Sequence, residues 1–159
     1  EASLQDSTQV IVDILSRFYF ENELMRRRGS YELSPAELCE MMTDAQKRSY
    51  GDGLDPETLH PYMWAVKGHY YRQDLAFYNF PYAFGLLFGL ALYGAYRESP
   101  EEFPGQYREL LRETGKLDAV ELTRRAGFDI EKREFWSSGL AVIAGQIDQF
   151  RRDAKELGA

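Results

Sequence analysis

The chain has 159 residues, the length of one domain, and 44% apolar content, enough for a core. A net charge of −7 and a pI near 4.9 argue against nucleic acid and other phosphate-rich partners, whose binding rests on clustered Lys and Arg. The single cysteine, Cys39, has no partner for an internal disulfide, which suits a reducing, cytoplasmic setting; no signal-peptide pattern opens the chain.

In chain order the signals are helical almost throughout. "DSTQVIVDILSRFYFENELMRRRG" carries Val10, Ile11, Ile14, Leu15 and Phe18 at helical spacing. Asp6 or Ser7 is the expected cap, and Gly29 the stop. Arg26, Arg27 and Arg28 then form a cationic last turn, where the helix dipole favours positive charge. "SPAELCEMMTDAQKRSYG" opens with Ser34, Pro35 and Glu37, a capping box with a preset φ. "DPETLHPYMW" repeats the proline device with Asp55 and Pro56. "SPEEFPGQYRELLRETG" predicts a second full box at Ser99, Pro100 and Glu102, with Gly115 as the stop. "DAVELTRRAG" predicts a short helix from Asp118 to Gly127, and a last helix is expected from about Glu134 to Leu157. No stretch shows sustained strand alternation. The expectation is an all-α fold, with residues 1–159 forming a single helical domain or a fragment of something longer.

Residues Phe80 to Tyr96 carry no charge over seventeen positions. Pro81, Gly85, Gly89 and Gly94 interrupt the segment, and a membrane span needs about 20 apolar residues. It therefore reads as a central buried helix, with Gly85 and Gly89 letting a second backbone approach closely. A membrane-associated protein built on it is the weaker alternative.

Few motifs carry chemistry. His60 and His69 are the only histidines, and no His-Glu-x-x-His places two imidazoles on one helix face for zinc. Glu57 and His60 make one Glu-x-x-His, whereas di-iron bundles use two. Cys39, beside Leu38, Met41 and Met42, reads as a small buried hydrophobe. What remains is "GHYYRQDLAFYNFPYAFG", with His69, Tyr70, Tyr71, Tyr78 and Tyr82. Two readings stand: an aromatic core with satisfied hydroxyls, or hydroxyls and an imidazole lining a cleft as donors to a developing oxyanion.

"FYNFPYAFG", preceded by "MWAVKGHYY", resembles the C-terminal part of the oligoendopeptidase F family, zinc metallopeptidases related to thimet oligopeptidase. "DSTQVIVDILSRFYFE", "SYGDGLDPETLHPYMW", "YRELLRETG" and "AGFDIEKREFW" extend the resemblance in order over nearly the whole chain. The match is to a lineage reading "FYNFPY" where others read more like "FYVYQY". In that family the zinc ligands are the two histidines of His-Glu-x-x-His and a downstream glutamate, and all lie upstream of the part resembled here. The resemblance therefore implies a C-terminal portion of a longer peptidase, with zinc in the full-length parent and none in this chain. It implies a zincin-like fold, short peptides as substrates, and the upstream zinc-bearing part of the same polypeptide as a partner. It places His69 and Tyr78 among the catalytic donors, with Tyr71 and Tyr82 as substrate-binding candidates. Phe80 stands where many relatives have tyrosine. Membranes and nucleic acid are not expected partners, and self-association of the isolated chain is. The rival reading is a stand-alone, non-catalytic helical binding module.

Overall fold

The computed structural model describes residues 1–158. It holds seven α-helices: α1 (Ala2–Thr8), α2 (Ile14–Arg28), α3 (Pro35–Tyr50), α4 (Phe80–Glu98), α5 (Phe103–Glu113), α6 (Ala119–Arg125) and α7 (Arg133–Glu156). No strand occurs among the described residues, so the all-α class holds. The chain divides into two compact units, one of Ala2–Phe84 and one beginning at Gly85, so the division falls inside α4.

In the unit of residues 2–84, α1 and α2 are one helical run joined by a π turn, Gln9–Asp13. The helix starts upstream of the expected cap. Asp6 and Ser7 lie inside it, and the Ser7 hydroxyl donates back to the Ser3 carbonyl 2.9 Å away instead of capping. A serine does this mid-helix when residues before it can also join the ladder. The π turn places Val12 and Asp13 against α3, where the Ser49 hydroxyl donates to the Val12 carbonyl and the Tyr50 hydroxyl donates to Asp13 at 3.1 Å. Such turns commonly mark functional or strained places in a helix.

Helix α3 begins as its sequence dictates. The Ser34 hydroxyl accepts from the Glu37 N–H at 3.3 Å, and the Glu37 carboxylate accepts from the Ser34 N–H at 2.9 Å. Gly51, at φ +58°, ends the helix where a side chain would be strained. Helices α2 and α3 bury Phe20, Met41, Met42 and Ala45, flanked by Leu24, Leu38, Met63, Trp64 and Tyr70. Arg48 covers the Tyr19 ring 4.0 Å from its centroid. After α3 the chain runs through three short 3-10 turns, Pro56–Thr58, Met63–Val66 and Gly68–Tyr70. Asp55 and Pro56 start one turn, not a full helix: the Asp55 carboxylate accepts from the Glu57 N–H, and the turn ends after Thr58.

In the other unit, Leu92, Leu110 and Ala126 form the buried core, with Phe88, Phe103, Leu122 and Phe128 packed on it. Asp118 caps α6 as expected by accepting from the Glu121 N–H at 2.9 Å. The box at Ser99 does not form. Helix α5 begins at Phe103, and Ser99 supplies only its carbonyl, to the Phe103 N–H at 3.0 Å. Pro100 to Glu102 thereby form a turn ahead of the helix.

The uncharged segment forms helix α4, with Pro81 tolerated in its first turn. Its burial is the correction. Only Ala91 and Leu92 are buried, while Phe80 is 73% exposed and Tyr82, Phe84, Tyr93 and Tyr96 are also exposed. The expected close approach is real but uses another glycine. A Cβ on Gly85 or Gly89 would meet nothing within 4 Å, whereas one on Gly139 of α7 would sit 2.7 Å from the Leu87 carbonyl oxygen. Among the described residues no helix is long and apolar enough to cross a membrane.

Candidate functional site

All four residues singled out by the sequence, His69, Tyr71, Tyr78 and Tyr82, lie in the unit of residues 2–84. The chain enters this region through the 3-10 turn Gly68–Tyr70, crosses a polar excursion in which Arg72 pairs with Asp74, and returns at Phe77. The return is fixed by the backbone: the Phe77 N–H donates to the His69 carbonyl at 3.2 Å. Phe77 has φ +55°, the one non-glycine residue with positive φ among the described residues, a conformation that strains a bulky side chain. The Asn79 N–H then donates to the Phe77 carbonyl at 3.0 Å, closing a three-residue turn centred on Tyr78. The Asn79 carbonyl in turn accepts from the Tyr82 N–H at 3.3 Å, starting α4.

This turn brings Tyr78 and Tyr82 together. Their ring centroids are 6.0 Å apart, edge to face, although Tyr78 precedes the helix. The Tyr78 ring also meets Phe80 edge to face at 5.9 Å. Tyr78 and Tyr82 are 37% and 49% exposed, so both side chains are partly open to solvent. Tyr71 is more exposed still, and its hydroxyl reaches the Trp64 carbonyl only at 3.5 Å.

His69 is placed differently. Its ring packs edge to face on Tyr70 with centroids 4.5 Å apart. Both ring nitrogens are buried and find no hydrogen-bond partner within the chain. Burial, then the nearby charges of Arg17 and Lys67, hold its pKa below the ordinary histidine value, so the neutral imidazole is favoured. No hydrogen bond or ring contact joins His69 to Tyr78 or Tyr82 among the described residues. The link is the backbone bond from Phe77.

Behind the aromatic turn lies a polar cluster that sequence reading missed. Asp13, Arg17 and Glu21 recur every four residues, so they share one face of the helical run. Arg17 pairs with Asp13, both side chains being nearly buried. Glu21 is 9% exposed and Asn79 2%, and the Asn79 side-chain amide donates to the Glu21 carboxylate. Burial pushes the Glu21 carboxyl up to about 7, against the opposing pull of Tyr70, Asn79 and Arg17. Burial, and the Glu21 charge, push the Tyr70 phenol far above its ordinary value. Among the described residues, six buried side-chain polar atoms have no partner: Arg17 Nε, Trp64 Nε1, both His69 nitrogens, Tyr70 OH and Asn79 Oδ1. All six lie within this unit, around the aromatic turn and the helix behind it. The available sequence signal was the four-residue spacing of Asp13, Arg17 and Glu21 on an otherwise apolar face.

His60 has a backbone role. Gln46, 2% exposed, accepts from the His60 N–H and donates to the His60 carbonyl, both at 3.0 Å. Arg26 and Arg27 both bind Glu23 in the last turn of α2.

Taken together, the region offers two exposed phenols, one on a strained turn and one in the first turn of α4, a neutral imidazole with unpaired nitrogens, and a buried carboxylate tied to that turn. The chain matches no protein-family model, no curated protein and no solved structure.

Proposed function

We propose that this chain is the C-terminal, substrate-cleft part of a zinc metallopeptidase of the oligoendopeptidase F kind, one that hydrolyses short peptides in the cytoplasm. The observation that carries the reading is the strained turn at Phe77–Asn79, which sets Tyr78 beside Tyr82 with both rings exposed. Strained backbone of this kind costs about 1–3 kcal/mol and persists where the surroundings over-determine it, typically at functional sites. The motif resemblance of "FYNFPYAFG" supplies the reaction class.

In this reading Tyr78 and His69 donate hydrogen bonds to the carbonyl oxygen of the scissile peptide as it gains charge. Tyr71 and Tyr82 bind the peptide backbone. A phenol keeps its proton at neutral pH and donates without titrating, and a neutral imidazole can likewise donate from one nitrogen. When bound, zinc would polarise the carbonyl and activate water. Among the described residues no three His, Cys, Asp or Glu side chains gather to hold a metal ion. The zinc of this reading belongs to the upstream part, and this chain's residues bind, orient and donate. Exposed apolar groups such as Phe80 would pack on that part, and would favour self-association of the chain alone.

The test is a polypeptide extending upstream to an in-frame His-Glu-x-x-His. It should hydrolyse short peptides with zinc, and Tyr78→Phe should lower kcat roughly 100- to 1000-fold with little change in KM. An upstream sequence without that motif, or an unchanged kcat, would leave the stand-alone binding module as the better reading.

A further inference from the structure

We infer that Glu21 and Asn79 form a buried latch that sets the backbone at Tyr78, which makes both of them positioning residues for the Tyr78 hydroxyl. The inference deepens the peptidase reading and rests on it for the role of Tyr78; the latch itself rests on geometry alone.

Asn79 is the point where three constraints meet. Its N–H closes the turn on the Phe77 carbonyl at 3.0 Å, its carbonyl accepts from Tyr82 at 3.3 Å, and its side-chain amide donates to Glu21 on α2. The first two bonds are local and would form in many loop conformations. The third ties the loop to a helix 58 residues earlier in the chain. Phe77, at φ +55°, would relax to an ordinary conformation if nothing opposed it. The bond from the Phe77 N–H to the His69 carbonyl holds one side of the strained residue, and the Glu21 bond holds the other.

Glu21 is itself fixed. Arg17 stands one turn earlier on the same helix face and is paired with Asp13, and Tyr70 flanks the carboxylate from the 3-10 turn. A buried carboxylate is costly unless it is held by hydrogen bonds and charge. An apolar residue would fill the same space without that cost, yet could not grip Asn79. Tyr78 lies one residue from the latch, and among the described residues its hydroxyl makes no hydrogen bond, so its direction follows from the backbone and from the ring's edge contacts with Phe80 and Tyr82.

The test uses the full 159-residue chain and amide hydrogen exchange read by mass spectrometry. Glu21→Ala and Asn79→Ala should each raise exchange in residues 76–84 by roughly 10- to 100-fold, the loss expected for a buried hydrogen bond to a charged group. Exchange in α3 should stay unchanged. The double variant should be no worse than the worse single, because one bond is lost in each case. Glu21→Gln, which keeps an acceptor oxygen, should not raise exchange there. Unchanged exchange in residues 76–84, or additive effects in the double variant, would overturn the latch.

Should the alanine variants unfold, the unsubstituted chain decides by NMR. The Asn79 side-chain amide should be protected from exchange and should shift with pH as Glu21 titrates; a freely exchanging, pH-independent amide overturns the proposal. In a zinc-bearing polypeptide, Asn79→Ala should lower kcat with KM little changed. If Tyr78→Phe is silent while the exchange result holds, the peptidase reading falls and the latch stands. If Tyr78→Phe lowers kcat and Asn79→Ala does not, the positioning role falls.

Discussion

The α-carbon of Gly139 faces the Leu87 carbonyl so closely that a Cβ there would lie 2.7 Å from the oxygen and 3.4 Å from its carbon. Both neighbours are backbone of α4, so neither can rotate away. Gly139→Ala should therefore force α7 off α4 and destabilise the unit beginning at Gly85 by about 1–3 kcal/mol, the usual cost of overpacking. That exceeds the gain of up to about 1 kcal/mol from replacing a helical glycine. Gly85→Ala and Gly89→Ala have open space and should stabilise by roughly 0.4–1 kcal/mol. Urea unfolding followed through Trp136 in a Trp64→Phe background separates this unit from the other. Equal effects at Gly139 and Gly89 would contradict the close packing.

The two Ser-Pro starts should respond differently to the same substitution. Ser34→Ala removes a formed capping box and should cost about 1 kcal/mol, within the 0.5–2 kcal/mol range of such caps. Ser99→Ala removes a hydroxyl that caps nothing, since Ser99 contributes only its carbonyl, and should stay within about 0.5 kcal/mol. A loss at Ser99 as large as at Ser34 would mean that the second box forms in solution.

This pair also shows how far the sequence could be read. The helix class, the Ser34 and Asp118 caps and the Gly29 and Gly127 stops were legible because each depends on residues within one turn. The Ser99 box was misread because Pro104 lies just inside the observed start at Phe103, and a helix running from Pro100 would leave that proline in its second turn. The glycine contact was assigned to Gly85 and Gly89 because the motif shows small residues, not what approaches them. His69, Tyr71, Tyr78 and Tyr82 came from a local motif. Glu21 and Asn79 did not: the four-residue spacing of Asp13, Arg17 and Glu21 marks a helix face, but the pairing of Glu21 with a residue 58 positions away is chosen by tertiary packing and is not written in that spacing.

Arg17 should prove a hub for both stability and titration. Its side chain and that of Asp13 are 12% and 13% exposed. Removing one partner of a buried pair leaves an uncompensated charge and typically costs about 3–5 kcal/mol. Arg17→Met should approach that loss, with Tyr50 left as the partner of Asp13. The Arg17 charge also depresses the pKa of His69 and of Lys67. In Arg17→Met both should rise, read for His69 by its ring proton shifts. A folded variant with an unmoved His69 would separate Arg17 from the cluster.

The last prediction concerns pH, and two groups pull in opposite directions. Glu21 is raised from 4.5 to about 7 in the folded chain, first by burial, with Tyr70, Asn79 and Arg17 facing it and resisting. Its raised pKa favours the folded state below pH 4.5, and that advantage is lost as pH climbs from 4.5 through about 7. The difference between those values corresponds to roughly 3 kcal/mol. His69 is lowered from 6.5, so its contribution is complete above pH 6.5 and is lost as pH falls below that. The two partly cancel in the unsubstituted chain, and a flat profile between pH 5 and 7 would not expose either. Glu21→Gln isolates the carboxyl, since glutamine resembles the protonated acid and cannot ionise. The variant should match the unsubstituted chain near pH 4.5 and exceed it by up to about 3 kcal/mol at pH 8, measured by urea unfolding followed through Trp64 in a Trp136→Phe background. A constant difference across that range would mean that Glu21 titrates as an exposed carboxylate does, and that the burial which makes it a firm anchor for Asn79 is absent in solution.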